Sequence, residues 1–395
     1  MRIISFAKAR LRPGSSYQLQ EWNQLAVSDQ EMLAGLSSER ELYGLFQPLS
    51  SFTHLTKKVA YKEVALLYLH LKENDGLPHY LFVADQEGYA ETISQLVLDS
   101  ILEIAYEGSF VSGPGAIRAI YGETLLEQDA IPSDLSRLSM EAIRYALLLR
   151  DQDRRSLSQK LYAFNTIPWD ANAKAVFLSA QPFIDFLFPT QNQEIRELLS
   201  KHWVSNHLTG KKYWLSWWKK SGTDPFLITS DKPTYKLYIS PAVGDLPKIL
   251  ERVIPLISHS AATNFKIGGS LEAILRPDKM LVYFETHEGL MDIALILKKE
   301  LSGFTAQGVP FTAQIDESGL LSWGLDPPDT DVLSQIEAGS WRMKVTDQLA
   351  LAIIQSRNEN LPIEESIAFI RAKLLSVGIN IMDWTVVEPV NAFSS

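Results

Sequence analysis

The sequence predicts an α+β fold in two lobes, residues 1–225 and residues 226–395, with a mixed sheet flanked by helices in the second. Three observations predict it. The stretch Tyr235–Phe284 reads as a strand (Tyr235–Ser240, stopped by Pro241), a crossover helix (Asp245–Ser258) and, after Phe265-Lys266-Ile267-Gly268-Gly269, a further strand, Met280–Phe284. In the helix, Leu246, Ile249, Leu250, Val253, Ile254 and Ile257 recur at three- and four-residue spacing, which places them on one face. Hydrophobic residues make up 46% of the chain, enough to build packed cores. Finally, 395 residues exceed what one hydrophobic core ordinarily serves.

The remaining elements follow from the same periodicities. Residues 1–35 are mixed and polar, with a loop at Pro13-Gly14-Ser15-Ser16 and with Trp22, Leu25 and Val27 free to pack on the body; no element is assigned there. Glu39–Phe46 reads as a short helix capped by Ser37 or Ser38. Val59–Leu71 fits both a strand and a helix. His79–Ala84 reads as a strand, and Glu91–Ser100 as a helix on Ile93, Leu96 and Val97. Leu102–Tyr106 alternates cleanly, Gly108–Ser112 continues after a turn, and Gly113-Pro114-Gly115 ends the run. Ser133–Arg150 is the firmest helix of the first half; Leu157–Phe164 continues helically until Ile167-Pro168-Trp169. Gln193–Val204 places Glu194 and Glu197 near its start and Lys201 and His202 near its end, a distribution that suits the helix dipole. Beyond the central stretch come a helix, His287–Leu301, and a hairpin of Phe311–Ile315 and Leu320–Gly324. Two helices, Trp341–Arg357 and Ile363–Val377, close the chain, the second stopped at Gly378.

Composition removes several classes of function. The formal net charge of −10 argues against a general nucleic-acid binder, which needs a basic surface. With no cysteine, there are no disulfides, thiolate metal sites or cysteine nucleophiles. No apolar run is long enough for a membrane span and the first ten residues hold no signal-peptide core, so a cytoplasmic protein without membrane association is expected. Seven histidines are present, but His202 and His207 are five residues apart, off the spacing that puts two ligands on one helix face; no metal and no cofactor is expected. The Gly113-Pro114-Gly115 turn lacks the lysine of a phosphate-binding loop, and there is no Gly-x-Ser-x-Gly elbow.

What remains is charge in unusual places. Lys236 and Lys266 each lie inside an apolar, strand-like run, where a lysine is seldom buried without a partner. Such a lysine either snorkels to the surface or has its pKa lowered and acts as a base. Arg276 and Lys279 are close by in sequence. Upstream, Trp214, Trp217 and Trp218 form an aromatic cluster flanked by four lysines, which either grips a peptide or fills a groove between lobes.

Tyr235-Lys236-Leu237-Tyr238-Ile239-Ser240, then Phe265-Lys266-Ile267-Gly268, then Arg276-Pro277-Asp278-Lys279 before a strand resembles the phosphothreonine-lyase-like fold. The similarity is to the lyase domains of class III and class IV lanthipeptide synthetases and to the Hop-type effector family, and it covers about residues 232–323. The resemblance implies β-elimination of phosphate from phosphoserine or phosphothreonine of a precursor peptide. Lys236 and Lys266 match the family's two lysines, and Arg276 and Lys279 its phosphate-holding positions. Where the family has a histidine that protonates the departing phosphate, this chain has Tyr238, a poorer acid near neutral pH. The implied partners are the precursor peptide, gripped by Trp214, Trp217 and Trp218, and a separate kinase. A non-catalytic peptide- or partner-binding module of the same fold is the alternative.

Overall fold

Apolar alternation in the central stretch is realised as one large sheet. The computed structural model describes residues 6, 8–34, 41–52, 54–78, 86–122, 133–150, 152–168, 180–189, 193–205, 213–220, 234–326 and 340–387. In the first half lie strands β1 (Leu11–Pro13), β2 (Tyr17–Glu21), β3 (Leu42–Pro48), β4 (Lys58–Tyr61), β5 (Leu102–Tyr106) and β6 (Ser109–Val111). With them come helices α1 (Val27–Met32), α2 (Lys62–Glu73), α3 (Gln86–Leu98), α4 (Ile117–Tyr121), α5 (Asp134–Leu148) and α6 (Arg154–Tyr162). The chain continues through α7 (Ala180–Leu187), α8 (Gln193–His202), β7 (Trp203–Ser205), β8 (Trp214–Lys219), β9 (Thr234–Ile239) and α9 (Leu246–Ser258). Then come β10 (Asn264–Gly268), α10 (Leu271–Ile274), β11 (Met280–Phe284), α11 (His287–Glu300), β12 (Ala313–Gln314) and β13 (Leu321–Asp326). Helices α12 (Trp341–Asn358) and α13 (Ile363–Ser376) precede a small terminal ladder. The fold is α+β.

The large sheet has seven strands in the order β12-β13-β9-β11-β10-β8-β7. Every neighbouring pair in it is antiparallel, which corrects the expected mixed sheet. The reason lies in one short reversal. Helix α9 carries the chain from β9 across to β10, and these two strands do run parallel. The turn through α10 then sends β11 back into the gap between them, where it pairs antiparallel with both. Gly268 permits that reversal, since a Cβ there would lie 2.7 Å from the backbone carbon of Ala273.

One face of this sheet and helices α7, α8, α9 and α11 enclose a core. The six periodic residues of α9 are all buried in it, and each contributes on the order of 2 kcal/mol of transfer free energy. Trp217 belongs to this core: it stacks on Phe265 at 4.8 Å, with Trp203 edge-on to the same ring. A second core joins the N-terminal strands and helices to α12 and α13, through residues such as Ile93, Leu102, Ile143, Val345, Leu349 and Phe369. Its buried ions are paired: Asp99 meets both Lys373 and Lys58, tying α3, α13 and β4 together. Residue 225 falls between β8 and β9 of one sheet, and the closing helices pack into the core of the first half of the chain while the start of α12 also meets β13 of the sheet.

Other sequence expectations fare unevenly. The described part of Glu39–Phe46 is not a helix; from Leu42 the run is strand β3, held centrally between β2 and β4. Gly44 makes that pairing possible, because a Cβ there would collide with the Gln20 carbonyl. The ambiguous Val59–Leu71 is both elements in turn, β4 and then α2. Helix α8 ends at His202, and Trp203–Ser205 leaves it as an edge strand. His79–Ala84 lies outside the described residues. The helix over 133–150 is observed as α5, capped by Ser133 on the Ser136 N–H as its position predicts.

Candidate active site

Strand alternation fixes which side chains share the second face of the sheet. On β9, Leu237 and Ile239 enter the core, so Lys236 and Tyr238 point the other way. Register carries this across the sheet. Tyr283 and Leu281 stand opposite Lys236 and Tyr238; Asn264 and Lys266 stand opposite Tyr283 and Leu281. On β8, Trp214, Ser216 and Trp218 lie opposite Gly268, Lys266 and Asn264, and on β13 Asp326 and Ser322 join the same face. The two lysines therefore share a face, but not adjacent strands: β11 runs between them.

They meet at its Tyr283. The Lys236 ammonium is 5.3 Å from the centre of that ring and the Lys266 ammonium 5.6 Å; Lys266 also lies 4.6 Å from the Trp214 ring. Lys236 is 5% exposed and forms an ion pair with Asp326. The same carboxylate accepts the Trp341 N–H at 2.8 Å, so the start of α12 anchors it. That helix comes close because residue 324 is glycine: a Cβ there would lie 2.6 Å from Trp341 Cδ1. No carboxylate among the described residues pairs with Lys266. Burial, and then the charge of Lys236, hold its pKa down to about 8.

Arg276 forms the third part of the site. Its Nε and Nη2 donate to the two oxygens of Asp278 at 2.8 and 2.7 Å; Nη2 also donates to the Tyr162 hydroxyl at 3.0 Å, and Nη1 to the Tyr213 hydroxyl at 3.2 Å. The guanidinium thus sits among Tyr162, Tyr213 and Trp214. Asp278 is the hub: it also accepts from the Tyr162 hydroxyl at 3.1 Å and lies 2.9 Å from Arg342 Nη1. Burial alone would raise its pKa, but Arg342 and Arg276 outweigh burial and hold the carboxyl far below its usual range. The site thus gathers four basic groups around two carboxylates.

The structure treats the sequence-predicted residues differently. Lys236, Lys266, Arg276 and Trp214 come together. Tyr238 shares their face but is 1% exposed, packed with Leu281 and Val309, and its hydroxyl has no hydrogen-bond partner among the described residues. Burial and then Asp326 push its pKa well above the ordinary tyrosine value. Lys279 is fully buried, donating to the Pro241 carbonyl at 2.8 Å and to Gln307, and burial pulls its pKa down to about 7. Its partners tie Pro241, just past the end of β9, to the loop at 307. Trp217 points into the opposite core, and Trp218 lies beyond Lys266 toward the edge of the sheet. Sequence reasoning left Tyr162, Tyr213, Asp278, Tyr283, Asp326 and Arg342 unassigned. Of these, Asp278 lay within the run Arg276–Lys279, Tyr283 within the strand Met280–Phe284, and Tyr213 beside the tryptophan cluster.

No protein-family model matches the chain, and no curated protein matches it in sequence. Among solved structures, the effector protein from Pseudomonas syringae pv. tomato strain DC3000 aligns with 65% of this chain and 99% of its own, at 13% identity and a TM-score of 0.41. The effector protein from Pseudomonas syringae pv. syringae strain 61 aligns with 64% of this chain and 98% of its own, at 12% identity and a TM-score of 0.37. In fold, the chain is weakly similar to these bacterial effector proteins. The likeness assigns no activity, and the site must be read from its own chemistry. Among the described residues, no cluster of three or more histidine or acidic side chains could hold a metal, and no helix is long and apolar enough to cross a membrane.

Proposed function

We propose that this chain removes phosphate by β-elimination from phosphoserine or phosphothreonine in a precursor peptide. The carrying observation is Lys266: an amine held near neutrality by burial and by Lys236, with no carboxylate partner among the described residues, on a face that also gathers Lys236 and Arg276. The amine of Lys266 takes the Cα proton. The released electron pair forms the Cα=Cβ bond, the Cβ–O bond breaks, and phosphate departs, leaving a dehydroamino acid. A base with a pKa near the working pH is the efficient choice for this step. Arg276, with one Nη1 hydrogen unused by its partners among the described residues, and Lys236 supply positive charge to the phosphate. Trp214 beside Lys266, and Tyr213, 45% exposed, offer flat surfaces to the flanking peptide. A separate kinase installs the phosphate, which places the work in the cytoplasm.

A second reading is favoured by one feature. Tyr238, in the position of the family histidine, is buried and its hydroxyl has no hydrogen-bond partner among the described residues, and a binding module would need no acid there. One experiment separates them. The purified chain is incubated with synthetic phosphoserine and phosphothreonine peptides and a small thiol. The lyase reading predicts release of inorganic phosphate with thiol added across the new double bond. Binding of the phosphopeptides with neither product supports the binding module, and the absence of both binding and products refutes both readings.

A further inference from the structure

Elimination needs a proton for the departing oxygen as well as a base. Bound phosphoserine carries close to two negative charges, with a second pKa of about 6, and without a proton it would have to leave as a trianion. Tyr238 is poorly suited to help: its ring packs against Leu281 and Val309, its hydroxyl is buried, and burial and then the Asp326 carboxylate push its pKa well above the ordinary tyrosine value. Two residues earlier on the same strand and the same face is Lys236, which carries protons and is paired with Asp326. We infer that Lys236, held by Asp326, is the catalytic acid that protonates the leaving phosphate. This inference rests on the lyase reading.

The geometry divides the labour between strands. β9 and β10 are two strand spacings apart, roughly 10 Å. Their lysines lean toward the one Tyr283 ring from either side of β11, at 5.3 and 5.6 Å from its centre. A phosphoserine side chain lying across Tyr283 would present its Cα–H to the lysine of one strand and its phosphate to the lysine of the other. Lys266, as the amine, takes the Cα proton; the Cα=Cβ bond forms as the Cβ–O bond breaks; Lys236, as ammonium, passes a proton to the bridging oxygen, and hydrogen phosphate departs. Lys236 then regains a proton from water while Lys266 gives one up, so the cycle closes with no other reactant. Asp326 positions the donor: one carboxylate oxygen meets Lys236 and the other is fixed by the Trp341 N–H at the start of α12.

A leaving group that needs no proton tests this directly. Sulfate is a far weaker base than phosphate, so elimination from O-sulfoserine should not depend on an acid, whereas elimination from phosphoserine should. Matched peptides are compared with wild type, Lys236→Met and Lys236→Arg. The arginine variant keeps the charge beside Asp326 and guards against misfolding, but its guanidinium does not give up a proton in proteins. Both variants should lose phosphoserine elimination on the order of a hundredfold more than they lose O-sulfoserine elimination, the usual contribution of a general acid. Equal losses on both substrates, or a Lys236→Arg enzyme that still eliminates phosphate at the wild-type rate, would overturn the inference and leave the lyase reading standing. Wild type that eliminates phosphate but no sulfate also counts against it, because recognition of the leaving group rather than its protonation would then control the step. Wild type inactive on both peptides overturns the lyase reading itself.

Discussion

The most exposed quantity in the proposed mechanism is the ionisation of Lys266. At an ordinary lysine pKa near 10.4, only about one side chain in 2,500 is a free amine at pH 7; at about 8, roughly one in eleven is. Burial and the neighbouring Lys236 therefore raise the active form about two-hundredfold at neutral pH, against the opposing pull of Asp278 and Asp326. The pH dependence of kcat/KM, followed by phosphate release from a phosphopeptide, should rise with unit slope and level off above about 8. Removing the neighbouring charge by Lys236→Met should move that midpoint upward in whatever activity remains. Ionisation of the phosphate itself, near 6, falls too low to imitate this limb. A rate that is flat between pH 7 and 9, or one that keeps climbing past 10, would refute the role of Lys266. So would a limb that survives in Lys266→Arg; Lys279, held to about 7, would then be the first group to examine.

Three further outcomes follow from the packing. Asp278→Asn strands the Arg342 side chain, 1% exposed, without its counter-charge and should cost about 3–5 kcal/mol in denaturant unfolding; a loss below about 1 kcal/mol would show the hub to be dispensable. Tyr238→Phe removes a buried hydroxyl that has no partner among the described residues, so stability should hold or rise and the rate of phosphate release should stay within a few-fold of wild type; a hundredfold loss would return the acid role to Tyr238. Gly324→Ala drives a methyl group to 2.6 Å from Trp341 and should cost about 1–3 kcal/mol while loosening the Asp326 contact to the start of α12; unchanged stability would mean that α12 can shift at no cost.

Local chemistry in this chain was largely legible, and long-range placement was not. The helix α9 announces itself by spacing alone, because its apolar residues repeat on one face, and the strands β9 and β11 and the closing helices were legible as apolar runs bounded by breakers. That Lys236 and Lys266 interrupt apolar runs was also visible, and those two residues lie in the site. The insertion of β11 between them was not visible, since pairing order is set by contacts far apart in the chain. Nor could Asp326 and Asp278 be picked out of 47 acidic residues, because their partners Trp341, Arg342 and Tyr162 come from α12 and α6, distant in sequence. The tryptophan cluster teaches a different lesson. Trp214 and Trp217 are three apart, and strand alternation sends them to opposite faces, so once that run is taken as a strand it cannot present all three rings to one peptide. Lys279 looked like part of a phosphate clamp because it follows Arg276 closely, yet a single turn later it is buried under Gln307.

The central claim is that Lys266 removes a proton from the α-carbon of a phosphorylated residue. A peptide carrying α-deuterated phosphoserine tests it most directly, with phosphate release timed against the protonated peptide and the product examined by mass spectrometry. The account predicts slower release from the deuterated peptide, and a product that has lost both the deuterium and the phosphate. Release at equal rates, giving serine that retains its α-deuterium, would show hydrolysis of the phosphate ester and contradict it.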